Sequence, residues 1–142
     1  MQPHKTILAK VAVEKSDEAL KAAYASLDIS LTVSQNRAYY AIFYIVCALA
    51  YLDDFIPLIK SHHKLMGYFN KFYLHESKIF DISLLKIYKN LILNRESADY
   101  SFITKLVKEK VIIDIESAKE FIEAVKPYIS QRLSEEEKNI ND

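Results

Sequence analysis

The chain has 142 residues, of which 51% are hydrophobic and 27% charged, and this length and composition suit one domain around one hydrophobic core. Its 19 basic and 19 acidic residues cancel, which argues against an obligate binder of duplex nucleic acid, because such proteins carry an excess of positive charge. One glycine and three prolines are too few for the turns of a β-sandwich or the glycine-rich phosphate turn of a doubly wound fold. The sequence therefore predicts an all-α protein, a bundle of four to five helices.

The spacing of apolar side chains predicts the first four helices in chain order. The first is expected over about 5–26 and the second over about 35–53. The second is apolar nearly all round, which is typical of a central helix buried on most sides. A third helix is expected over about 62–73, a loop over 75–80, and a fourth helix from 81 or 83 to about 98.

The last helix is expected to begin near Thr104, which can cap it, and to carry an apolar stripe of residues three and four apart. Pro127 is expected to kink or end this helix, since proline removes a backbone donor and clashes with the preceding turn. The polar segment 134–142 is expected to be a disordered tail, which leaves 1–133 as a single helical domain.

The sequence offers neither a disulfide nor a membrane span. Cys47 is the only cysteine and lies in an apolar run, which is typical of a buried thiol in a reducing compartment. Charged residues interrupt the first 15 positions, so no signal peptide is evident. The uncharged stretch 38–52 is shorter than the roughly 20 residues that cross a bilayer. We therefore expect a cytoplasmic protein with no membrane association.

One face of the second helix carries polar and aromatic side chains. These side chains are three and four residues apart, and they are Arg37, Tyr40, Tyr44, Cys47 and Tyr51. A buried structural network and a binding cleft would both produce such a face.

On the fourth helix, Arg95 and Asp99 are four residues apart and Tyr100 follows them. A simple ion pair explains Asp99 poorly, because an acid that follows a base is the weaker order and an acid near a helix C-terminus opposes the helix dipole. We therefore expect a tertiary partner for Asp99, such as a tyrosine hydroxyl or Arg37. A structural network and a binding or catalytic cleft both remain open at this point.

The four histidines give no metal motif. His62 and His63 are adjacent, so they point about 100° apart on a helix and cannot both bind one metal from one face. No HExxH, CxxC, P-loop, GxGxxG, GxSxG or kinase motif occurs. The sequence therefore predicts no metal and no cofactor.

Four segments, in order along about 5–132, resemble the prokaryotic HEPN-domain family. Residues 36–43 (NRAYYAIF) resemble its S-R-A-Y-Y-A-M-F signature, and 95–100 (RESADY) resemble its R-x-x-A-D-Y signature. Ser61-His62 with 69–71 (FNK) resembles its T-H…F-N-K segment, and 117–122 resembles the A-x-E-F-I of its last helix.

The resemblance implies an up-and-down helical bundle that commonly dimerises, encoded beside a small nucleotidyltransferase in a toxin–antitoxin or defence-type system. Many members are metal-independent RNases with an R-x(4–6)-H motif on the helix that corresponds to 84–100. In this sequence the three positions after Arg95 where that histidine could stand hold Tyr100, Ser101 and Phe102, so the motif histidine is absent. General acid–base cleavage then lacks its usual proton carrier, whereas Arg95 can still bind a phosphate.

Three hypotheses follow. The leading one is a homodimeric HEPN-domain partner of a small nucleotidyltransferase, with a nucleotide- or RNA-binding groove. The first alternative is a metal-independent RNase toxin in which His62 replaces the missing histidine, which makes Arg95 and His62 the catalytic candidates. The second alternative is an inert structural or dimerisation bundle. The residues expected to line the groove are Arg95, Asp99 and Tyr100, with Arg37, Tyr40 and His62 nearby.

Overall fold

The computed structural model describes residues 3–55, 61–100 and 105–141. These ranges contain five α-helices and no strand, so the predicted all-α bundle is confirmed. No helix within these ranges is long and apolar enough to cross a membrane. The helices are α1 (Pro3–Ala25), α2 (Leu31–Leu52), α3 (His62–Phe69), α4 (Ser83–Tyr100) and α5 (Lys108–Asn141).

Helix α2 lies at the centre of the bundle and packs against α1, α4 and α5. It begins four residues earlier than predicted, because the Ser30 side chain accepts a hydrogen bond from the Val33 amide at 3.2 Å. Small residues let α1 approach it closely, and Ser16 Oγ donates to the Ala41 carbonyl at 2.7 Å. Four alanines of α1 are buried in this contact region of the core: Ala9, Ala12, Ala19 and Ala23.

The third helix passes from an α-helix to a π-helix, whereas the sequence predicted a continuous α-helix followed by a loop. Helix α3 ends at Phe69, and Asn70–Glu76 continue it as a π-helix. The predicted loop over 75–80 therefore begins at Ser77 instead. The wider turn keeps Phe69, Tyr73 and Leu74 all buried, an arrangement that apolar periodicity at 3.6 residues per turn does not predict.

Helix α5 is longer than predicted at one end and shorter at the other. It begins at Lys108 rather than near Thr104, which lies outside the described residues. The helix does not end at Pro127, and Val125 and Ile129 on either side of the proline are both buried in the core. The segment 134–141, expected as a tail, forms the last turns of α5, and Glu137 contacts Lys10 of α1.

A polar cluster ties the C-terminal end of α2 to the rest of the bundle. The hydroxyls of Tyr68 and Tyr73 both donate to Asp53 Oδ2. Arg132 of α5 donates to Asp53 Oδ1 at 2.9 Å and to the Leu52 carbonyl at 3.3 Å. This network anchors the π-helix and the second half of α5 to one end of the central helix.

Candidate functional site

Arg95 is a buried cation on α4, 9% exposed, and aromatic rings of α2 surround its guanidinium. The guanidinium carbon lies 5.0 Å from the centroid of the Tyr39 ring and 6.0 Å from that of Tyr40. Its Nε is buried and has no hydrogen-bond partner among the described residues. A buried charge is costly unless it is compensated, so the two rings and an acid must together hold this cation.

Asp99 supplies that acid, and its partner on α2 is Asn36. Its Oδ2 lies 3.7 Å from Arg95 Nη1 and accepts a hydrogen bond from Asn36 Nδ2 at 3.0 Å. The sequence predicted a tyrosine hydroxyl or Arg37 as the tertiary partner, and neither makes this contact in the described structure. Arg37 is instead linked through Asn36, whose Oδ1 accepts from Arg37 Nε at 3.1 Å and Nη2 at 2.9 Å.

Tyr40 brings the two arginines to one ring. The Arg37 guanidinium carbon lies 4.8 Å from the Tyr40 centroid, and that of Arg95 lies 6.0 Å from the same centroid. Two carboxylates act on this group: that of Asp99, 3.7 Å from Arg95, and that of Glu96, whose charge reaches Tyr39 and His62. The two guanidiniums meet at one ring, so one anion could contact both of them although the whole chain is neutral.

His62, the first residue of α3, completes the group. Its Nδ1 contacts the Tyr39 hydroxyl, and its ring stacks on Phe43 with centroids 4.7 Å apart. Burial lowers the pKa of His62 below its ordinary value of 6.5, and the positive charge of Arg95 lowers that pKa further. The imidazole is therefore neutral at pH 7.

The Tyr39 hydroxyl fixes which nitrogen of His62 carries the proton. Burial raises the pKa of Tyr39 well above its ordinary value, so the hydroxyl keeps its proton at neutral pH. It has no other hydrogen-bond partner among the described residues, so its own proton stays unpaired unless the hydroxyl donates to His62 Nδ1, and this direction is the favoured one. The neutral imidazole then carries its proton on Nε2, where it can donate to a ligand.

The structure brings together five of the six residues predicted for the groove, and Tyr100 lies apart from them. Tyr100 is 74% exposed at the end of α4, with no hydrogen bond or ring contact to any described residue. We call the group the Arg95 cluster; it consists of Asn36, Arg37, Tyr39, Tyr40, Phe43, His62, Arg95 and Asp99.

Sequence reasoning missed Asn36, Tyr39 and Phe43 as members of the site. They are three and four residues apart, so they share a face of α2. That face is adjacent to the one defined by Arg37 and Tyr40, and all five residues lie within the segment 36–43 that resembles a family signature. The spacing signal was present, but nothing in it showed that α3 and α4 pack on this face.

The chemistry available at the Arg95 cluster is recognition of an anion. Arginine binds carboxylates and phosphates through two parallel hydrogen bonds, and a nearby imidazole adds a further donor. Among the described residues, no group of three or more His, Cys, Asp or Glu side chains is placed to hold a metal ion. The guanidiniums and the imidazole of the cluster are hydrogen-bond donors of the kind that phosphates accept from.

Comparisons of this chain with protein-family models, curated proteins and solved structures found no match.

Proposed function

We propose that this chain is a cytoplasmic HEPN-like protein whose Arg95 cluster binds a phosphate group of a nucleotide or of RNA. We further propose that it acts as a homodimeric partner of a small nucleotidyltransferase in a toxin–antitoxin or defence-type system. The observation that carries the binding proposal is the placement of two guanidiniums, those of Arg37 and Arg95, at the single ring of Tyr40.

The environment of Arg95 strengthens the case for an anionic ligand. Charges interact more strongly where water is excluded, and Arg95 is 9% exposed. Its only carboxylate partner in the described structure, Asp99, is 3.7 Å away and also accepts a hydrogen bond from Asn36. A phosphate at the cluster would complete the compensation of two cations by supplying oxygens to both guanidiniums.

Binding is tested by titrating the protein into a 5′-fluorescein-labelled single-stranded RNA and into a labelled nucleoside monophosphate. Arg95→Met removes the charge and keeps most of the side-chain volume. We expect it to weaken both affinities about tenfold or more, the cost of one lost charge-assisted hydrogen bond. Lys89→Met removes an equal charge from an exposed position on the same helix. If the two variants bind equally well, Arg95 does not form the site.

The partner half of the proposal is tested by co-expression with the product of the adjacent gene. We expect a complex that survives affinity purification and size-exclusion chromatography, and a homodimer of this chain alone by light scattering. If the adjacent gene does not encode a nucleotidyltransferase, or if the two proteins never associate, this half fails while phosphate binding still stands.

RNA cleavage is the second candidate function, and the position of His62 favours it. To act as the base, His62 would have to hold its proton on Nδ1 with the Tyr39 hydroxyl as acceptor. Its free Nε2 could then take a proton from a ribose hydroxyl while the Arg95 guanidinium stabilises the phosphate. This hypothesis predicts that expression of the chain arrests growth and that Arg95→Ala and His62→Ala each relieve the arrest. An Arg95→Ala protein as toxic as the parent would exclude it.

The inert-bundle hypothesis makes the opposite prediction for the same cluster. If Arg95, Asp99 and the tyrosines only fix the core, Asp99→Ala lowers the melting temperature and every ligand affinity stays unchanged. A change in nucleotide affinity in this variant would exclude a purely structural role.

A further inference from the structure

A groove between α1 and α2 holds two cavities beside the proposed phosphate site, which shares Phe43 with one cavity and Arg37 with the other. One has a volume of about 280 Å³ and a mostly apolar wall that includes Phe43, Tyr44 and Tyr51. The other has a volume of about 270 Å³ and is lined by Lys15, Arg37 and Tyr44, with Glu18 as its one acid. Lys15 and Tyr44 line both cavities, so these two side chains stand between them.

Cations and rings alternate along this groove. Lys15 Nζ lies 5.7 Å from the centroid of the Tyr44 ring, and Tyr44 lies 5.8 Å from Tyr40, centroid to centroid. The guanidinium carbon of Arg37 lies 4.8 Å from the centroid of the Tyr40 ring. Tyr40 lines neither cavity, but it contacts Arg37, Tyr44 and Arg95, so a chain of ring contacts links the groove to the Arg95 cluster.

We propose that this groove is a nucleotide subsite for a single-stranded nucleic acid chain, next to the phosphate held at Arg95. The base of one nucleotide enters the apolar cavity beside Tyr44 and Tyr51, and its phosphate lies between Lys15 and Arg37. The inference rests on the proposed function, since the Arg95 cluster binds the neighbouring phosphate of the same chain.

The chemistry of the two cavities favours a nucleotide over an apolar protein segment. An amphipathic helix needs one continuous apolar groove, whereas Lys15 divides this one. A nucleotide has one aromatic part and one anionic part, which match the apolar cavity and the cationic cavity in turn. Stacking on tyrosine tolerates any base, and two cations against one acid attract the backbone phosphate.

The ligand must be single-stranded. In a duplex the bases are paired and stacked on each other, so none can enter a side cavity without being unstacked first. The neutral overall charge of the chain also argues against an extended basic surface for a duplex. We therefore expect a preference for single strands, with an affinity that rises from a mononucleotide to a tetranucleotide.

The deciding experiment measures fluorescence anisotropy with a labelled nucleoside monophosphate and a labelled tetranucleotide of the same base. Tyr44→Leu removes the ring and keeps an apolar side chain. We expect it to lower the affinity for the tetranucleotide about tenfold, the effect of one lost base stack. The affinity for the mononucleotide should stay unchanged, because its single phosphate is held at the Arg95 cluster and only a longer chain places a second nucleotide in the groove. Tyr44→Phe keeps the ring and should bind as the parent does, as should Tyr24→Leu, which changes a tyrosine of α1 outside the lining of both cavities.

A second variant tests the phosphate position without touching an aromatic side chain. Lys15→Gln should lower the slope of log affinity against log salt concentration by about 0.7, the contribution of one phosphate contact to a single strand. An unchanged slope would overturn the placement of a phosphate between Lys15 and Arg37.

The outcomes separate this inference from the proposed function. If Arg95→Met weakens both ligands and Tyr44→Leu affects them equally or not at all, the subsite is overturned and the phosphate site stands. If neither ligand binds the parent protein, the proposed function and the subsite fail together. If Tyr44→Leu instead converts a dimer to a monomer, the groove is covered by a second copy of the chain, which also overturns the subsite.

Discussion

The Tyr39 hydroxyl contacts Nδ1 of His62 and thereby joins the central helix α2 to the first residue of α3. Arg95 lies over the aromatic ring of the same tyrosine, with its guanidinium carbon 5.0 Å from the ring centroid. Tyr39 therefore positions both a cation and an imidazole, and it connects the stability of the fold to the protonation state of the site.

This contact predicts a pH-dependent stability. The pKa of His62 in the folded chain lies below its ordinary value of 6.5, so the folded state keeps the imidazole neutral and the unfolded state takes up its proton first. The stability that His62 contributes is complete above about pH 6.5 and is lost as the pH falls through the folded-state pKa. Between about pH 7.5 and 5.5, the free energy of unfolding should fall more for the parent than for His62→Gln.

Urea unfolding at a series of pH values measures this difference. His75→Gln removes an exposed imidazole from the π-helix and is the matched control for the loss of a histidine. Parallel curves for the parent and His62→Gln would show that folding does not perturb His62.

The network at Asp53 predicts a large effect far from the proposed site. Arg132 and Asp53 are 21% and 20% exposed, and removing one partner of a largely buried pair leaves the other charge uncompensated. We expect Arg132→Met to lower the free energy of unfolding by about 2 kcal/mol. Glu137→Gln breaks a much more exposed pair with Lys10 and should cost less than about 0.5 kcal/mol. Equal effects in urea unfolding would contradict this ranking.

Tyr88 offers a substitution that should stabilise the protein. Its hydroxyl is fully buried, with no hydrogen-bond partner among the described residues. Burial of an unpaired hydroxyl costs about 1 kcal/mol or more, so Tyr88→Phe should raise the free energy of unfolding by about that amount. Tyr73→Phe removes a hydroxyl that donates to Asp53, so it should lower the free energy of unfolding. Thermal unfolding of both variants tests the contrast, and a destabilised Tyr88→Phe would reveal a partner for that hydroxyl.

Gly67 is the only glycine of the chain and lies inside α3. A Cβ atom built at this position meets no atom within 4 Å, so a methyl group fits without any rearrangement. Gly67→Ala should therefore raise the free energy of unfolding by about 0.5–1 kcal/mol through better helix propensity. A lower melting temperature in calorimetry would mean that the glycine serves another purpose.

Apolar periodicity was sufficient to predict the bundle and the central position of α2, because burial and helix period are both local properties of the sequence. The same reasoning placed Arg95 and Asp99 on one face and identified Asp99 as needing a tertiary partner. It named the wrong partner, since the choice between Arg37 and Asn36 depends on how α2 and α4 are rotated against each other.

Long-range contacts account for most of what the sequence did not predict. The π-helix over Asn70–Glu76 has no local signal, and two tyrosines in and beside it are held by Asp53, which is 15 and 20 residues away along the chain. The same carboxylate binds Arg132 on α5. Such a network forms only after the helices pack, so neither spacing nor propensity reveals it.

The most direct test of the central claim observes His62 itself while a nucleotide is added. In ¹³C- and ¹⁵N-labelled protein, the account predicts that a nucleoside monophosphate shifts the His62 imidazole resonances and raises the pKa of His62, because a bound phosphate favours the imidazolium. Both changes should be absent in Arg95→Met, while the resonances of His75 stay constant in either protein. If the His62 resonances and pKa do not change at saturating nucleotide, the Arg95 cluster is not a phosphate site.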